Sequence, residues 1–114
     1  MEDSVNVTEG GDVIVVLITS ASREEADRIA RRLVEDRLAA CVTIVPQVRS
    51  IFMWEQKLSQ EDEVLLMVKS RRALFAQLAE AVKRLHSYSV PEIIALPVVM
   101  GSADYIGWVS ESTS

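Results

Sequence analysis

The chain has 114 residues, 49% of them hydrophobic and 25% charged, which fits one folded domain and excludes intrinsic disorder. Twelve Lys and Arg against 17 Asp and Glu leave a net charge of −5, a balance that argues against binding a nucleic-acid phosphate backbone. The single cysteine, Cys41, excludes an internal disulfide and a cysteine-based zinc site within one chain.

Residues 1–11 are polar, end in Gly10-Gly11, and are expected to form a flexible arm ahead of a single domain over residues 12–114. The start, Met1-Glu2-Asp3-Ser4, is acidic where a signal peptide is basic and then apolar. The longest apolar runs, such as Val13 to Ile18, are far shorter than the roughly 20 residues of a membrane span. A cytoplasmic protein without membrane contact is the expectation.

Val13 to Ile18 is a continuous β-branched run and predicts a buried strand. Ser22-Arg23-Glu24-Glu25 is a capping box, in which Ser22 accepts from the Glu25 amide and Glu25 reaches back. Behind it, Ala26, Ile29, Ala30, Leu33 and Val34 repeat on one face of a helix. Cys41 to Lys57 is a second extended stretch, long enough that it must bend or project, and Pro46 is the natural bend. Leu58 to Asp62 reads as a polar turn, and Val64 to Val68 as another buried strand. Ser70 is expected to cap a second helix with Leu74, Phe75, Leu78, Val82 and Leu85 inward. Ile93 to Met100 predicts a fourth strand, its Pro97 marking an edge or a bulge. Asp104 to Ser110 is a short final helix.

The order β-α-β-β-α-β is that of the α+β ferredoxin-like fold, with both helices on one face of an antiparallel sheet. The other face of such a sheet ordinarily meets water and shows polar alternation. Here the first, third and fourth strands are apolar on both faces, so a further copy of the chain is expected to cover the second face. Exposed Phe52, Met53 and Trp54 on the projecting half of the second strand suit pairing with a neighbour.

No glycine-rich phosphate loop is present, and one histidine gives little for a nucleophilic triad, so no enzyme is expected. His86 closes the second helix. It is either a cation at the negative end of the helix dipole or a ligand for Cu(II) or another divalent ion. Glu55, Lys69, Tyr88 and Glu92 lie near strand ends and chain junctions, as solvated positions or as the polar rim of a cleft between subunits. Cys41 reads as core packing.

Leu38-Ala39-Ala40-Cys41-Val42, Pro46, Trp54-Glu55-Gln56-Lys57, Lys69, His86-Ser87-Tyr88-Ser89-Val90-Pro91-Glu92-Ile93-Ile94 and Tyr105-Ile106-Gly107-Trp108 together resemble the CutA divalent-cation tolerance proteins. The resemblance runs from about Asp12 to Ser110. It implies a ferredoxin-like homotrimer, similar in architecture to the P-II signalling proteins, linked to tolerance of copper and other heavy metals. Of the copper site described for some members, His86 alone has a counterpart here. The first-strand cysteine position is Ile18, and the histidine pair is Leu85-His86. Three functions stay open: a weakly metal-binding, non-enzymatic tolerance trimer with His86 as ligand; a signalling trimer holding a small anionic metabolite near Glu55, Lys69, His86, Tyr88 and Glu92; and a scaffold trimer without ligand.

Overall fold

A computed structural model describes residues 4–114, and its first element is a strand where a flexible arm was expected. Val7–Glu9 (β1) pairs antiparallel with Met100–Ser102, Val7 opposite Ser102 and Glu9 opposite Met100. The cause lies at Gly10. Its N–H donates to the Val99 carbonyl at 3.0 Å, and the backbone passes so close to Val98 that no side chain fits. Gly11, at φ +56°, then turns the chain into the sheet, and Val13 N–H donates to Gly10 at 2.9 Å. Met1 to Asp3 of the expected arm lie outside the described residues.

Val13–Ser20 (β2) is the β-branched strand, and Arg23–Glu35 (α1) follows with Ile29 and Leu33 fully buried. Cys41–Trp54 (β3) and Lys57–Arg71 (β4) form one long hairpin. Its register slips between Val45 and Val48, where Pro46 withdraws a ladder donor. Its two-residue turn is Glu55-Gln56, at φ 50° and 67°, the left-handed pair of a type I′ turn. The turn expected over Leu58 to Asp62 is therefore strand, with Leu58 opposite Met53 and Asp62 opposite Arg49. The distal hairpin projects from the domain, which measures 55 × 28 × 21 Å. Ile51, Met53, Trp54 and Leu58 are exposed on it.

Ser70 does not cap the second helix. It is a buried residue of β4 whose hydroxyl donates to the Leu38 carbonyl at 2.7 Å. A 3-10 turn, Arg72–Leu74, leads into Phe75–Leu85 (α2). The strand expected from Ile93 to Met100 divides at Pro97 into Ile93–Pro97 (β5) and Met100–Ser102 (β6), and β6 leaves the main sheet for β1. The final helix, Ala103–Ser112 (α3), is capped by Ser102.

The main sheet has the antiparallel order β3-β4-β2-β5. Ile14, Val16, Ile18, Leu66 and Val68 meet α1 and α2 on one face, with Ile29, Leu33, Leu78 and Val82 opposite them. Alternation places Val15, Leu17, Leu65, Met67, Ile94 and Leu96 on the other face. Among the described residues α3 covers part of that face, packing Val109 with Val13 and Ala40. Ile94 and Leu96 remain 50% and 48% exposed. Among the described residues no helix is long and apolar enough to cross a membrane.

Gly10→Ala is expected to destabilise the fold by about 1–3 kcal/mol through the Cβ clash with Val98. Gly107→Ala, where the new methyl meets no atom within 4 Å, is expected to be neutral or to stabilise by up to about 1 kcal/mol. Urea midpoints of the two variants test the contrast.

Candidate functional site

The polar groups gathered most densely lie where β2 ends, α1 begins and α2 ends. Ser22 accepts from the Glu25 amide at 3.1 Å, which is half of the expected capping box. The other half does not form. Glu25, buried in the first turn of α1, turns its carboxylate toward the loop after α2 instead. Oε2 accepts from the buried Ser20 hydroxyl at 2.6 Å, and Oε1 accepts from the Ser87 amide at 2.9 Å. His86 Nδ1 lies 3.7 Å from Glu25 Oε2.

The His86 side chain is completely enclosed. Its Nε2–H donates to the Thr19 carbonyl at 2.6 Å, and its Nδ1 accepts from the Tyr88 amide at 3.0 Å. A neutral imidazole offers one donor and one acceptor, and both are engaged here. Tyr88 stacks obliquely on the ring at 4.7 Å and donates its hydroxyl to Glu63 at 2.8 Å. His86 is thus a tie between α2 and the end of β2, with no lone pair free for a metal in this arrangement.

The charges follow from these contacts. Burial acts to raise the Glu25 carboxyl, but hydrogen bonds from Ser20 and Ser87 and the neighbouring His86 outweigh it and hold it below its ordinary value. Burial, then donation to the Glu63 carboxylate, pushes the Tyr88 phenol above its ordinary value. At neutral pH Glu25 is an anion and Tyr88 keeps its proton.

Of the residues singled out in the sequence, His86 and Tyr88 come together. Glu55 sits in the hairpin turn, Glu92 is exposed just before β5, and Lys69 is on β4 facing the less covered side of the sheet. Six residues of strand separate Glu63, the Tyr88 partner, from Lys69, about 20 Å, and Glu55 is farther still. One chain alone does not join Glu55, Lys69, Tyr88 and Glu92 into a cleft. Among the described residues no group of three or more His, Cys, Asp or Glu is placed to hold a metal ion.

Sequence reasoning missed Ser20, Glu25, Glu63 and Ser87 as site members. The available signal was an acid at the third position of a capping box beside a helix-terminal histidine. Neither residue shows its partner in sequence, because Glu25 and Ser87 lie 62 positions apart.

A family model described as CutA1 divalent ion tolerance protein matches residues 14–112. The chain is 50% identical over 99 residues to the divalent-cation tolerance protein CutA of Thermus thermophilus, covering 87% of this chain and 96% of that one. It is 44% identical over 100 residues to the chloroplastic protein CutA of Arabidopsis thaliana, covering 88% of this chain and 55% of that protein. Among solved structures, the Thermus thermophilus protein superposes with a TM-score of 0.88 at 49% identity, covering 90% of this chain and 99% of that one. One from Archaeoglobus fulgidus, described as a periplasmic divalent cation tolerance protein, gives 0.87 at 40% identity, covering 90% and 99%.

Glu25→Gln is expected to destabilise the protein at pH 7 by about 1–3 kcal/mol, since charge-assisted bonds to Ser20 and Ser87 are weakened. The wild-type contribution is complete above the ordinary carboxyl value of 4.5 and is lost as pH falls through the lower folded value. The gap between wild-type and variant urea midpoints should therefore shrink below about pH 4.5. A gap independent of pH would contradict the assignment.

Proposed function

The chain belongs to the CutA1 divalent ion tolerance family, and we propose that it serves divalent-cation tolerance as a cytoplasmic homotrimer that catalyses no reaction. The observation carrying the trimer is the second face of the main sheet. Val15, Leu17, Leu65, Met67, Ile94 and Leu96 form an apolar surface on a chain whose two longer helices both lie on the opposite side. Packing these faces together removes them from water at about 25 cal/mol per Å². The hairpin, with exposed Ile51, Met53 and Trp54, extends beyond its own domain and is available to a neighbouring copy. The single cysteine fits a reducing compartment.

Divalent cations, Cu(II) among them, bind this assembly weakly in this proposal. A cation reaches Nδ1 of His86 only by displacing the Tyr88 amide, at a cost of about 1 kcal/mol or fivefold in affinity relative to a free imidazole. Glu25, 3.7 Å away, is the carboxylate positioned to assist. The net charge of −5 raises the local cation concentration without selecting among metals.

Light scattering should give three times 12.7 kDa, independent of dilution. Leu17→Asp, which puts a carboxylate into each covered face, should give the monomer mass. A wild-type monomer would overturn the assembly. Calorimetric titration of untagged protein with Cu(II) should show binding weaker than micromolar, reduced further in His86→Ala. Binding unchanged by that substitution would remove His86 as a ligand.

A further inference from the structure

Lys69 stands in the less covered sheet face without a carboxylate. Across the sheet its row reads Cys41, Lys69, Val15, Leu96. The acceptors around its ammonium are all neutral: Thr43 Oγ1 at 2.5 Å, the Met67 carbonyl at 3.5 Å and Cys41 Sγ at 3.8 Å. Among the described residues it makes no ion pair. Arg71, two residues on along the same face, spends its guanidinium on Thr113 and Asp12. Lys69 is therefore the cation of this face that lacks a counter-charge.

Its neighbours are donors. Thr43 accepts from Lys69 and pairs with the Cys41 thiol at 4.0 Å, so one of the two donates to the other and the remaining hydrogen is left to give. The Tyr105 hydroxyl, brought in by α3, lies beside Cys41. Burial and that thiol hold the Tyr105 phenol above its ordinary value, so it retains its proton. An ammonium surrounded by hydroxyls and a thiol, with no acidic side chain, is a donor set for an oxyanion. Val15 and Met67 beside it limit water and strengthen the attraction once the face is covered.

We propose that Lys69, Thr43, Cys41 and Tyr105 form a binding site for one small oxyanion of the carboxylate or phosphate class. The site is distinct from the His86–Glu25 cluster. It rests on the trimer in one respect, that a second copy covering the face completes its exclusion of water. The oxyanion comes either from solution or from a carboxylate side chain of that second copy.

The test follows the urea midpoint of untagged protein titrated with inorganic phosphate and, separately, with citrate, against chloride at constant ionic strength. A free oxyanion predicts a saturable rise in wild type, an affinity weakened about tenfold to a hundredfold in Lys69→Met, and partial recovery in Lys69→Arg. A carboxylate from the second copy predicts no titration. In that case Lys69→Met loosens the trimer, because the partner's anion is left unpaired, and Lys69→Arg restores it. If neither anion titrates and Lys69→Met is neutral or stabilising, Lys69 is an uncompensated cation and the site is refuted. Light scattering of the same samples separates the two readings, since a trimer with no anion response and a neutral Lys69→Met refutes this site alone, and a wild-type monomer refutes the assembly.

Discussion

A sheet with two apolar faces and helices for only one of them is the constraint from which the rest of this structure follows. The β-α-β-β-α-β order sends both crossovers to the same side. α1 and α2 therefore compete for one face and leave the other to water. α3 closes only the end near Val13 and Ala40. A one-sided sheet would alternate apolar and polar residues, but here Val15, Leu17, Leu65, Met67, Ile94 and Leu96 make the second face apolar as well. The proposed trimer answers this constraint by covering the second face with copies of the same chain.

The His86–Glu25 cluster answers a different need. The end of β2, the start of α1 and the end of α2 converge there, each with backbone groups that no ladder or helix satisfies. One carboxylate and one imidazole engage Ser20, Ser87, Thr19 and Tyr88 together. Buried polar groups are stabilising when every member is satisfied and costly when one is removed. The same completeness makes His86 a poor open metal ligand. Membership of a divalent-cation tolerance family is thus not matched by a preformed coordination site among the described residues of this chain.

Most of the fold was legible in the sequence because its elements carry strong periods. The 3.6-residue repeat from Ala26 to Leu33 and the β-branched run from Val13 to Ile18 face a core, and a core imposes period. Leu58 to Asp62 differs from its sequence reading because the distal hairpin projects from the domain, so no core face is selected and a polar strand looks like a turn. Glu55-Gln56 lacks the Asn or Gly that usually announces left-handed turn residues. Ser70 reads as a cap because Ser is common there. Its hydroxyl instead satisfies the Leu38 carbonyl from 32 positions away, a contact no local pattern records. The site was legible only at His86 and Tyr88. Glu25 was hidden inside a capping motif that explained it too well.

Cys41 offers the most direct test of the claim that the second face is covered. It is the single thiol, it lies on that face, and in one chain it is partly accessible. The rate of its reaction with an aromatic disulfide reagent in native buffer measures whether anything sits over it. Covered faces predict a thiol that reacts no faster than the assembly dissociates, and one that becomes reactive when Leu17→Asp holds the faces apart. Rapid stoichiometric labelling of the wild-type protein would show the face open to solvent and contradict the account.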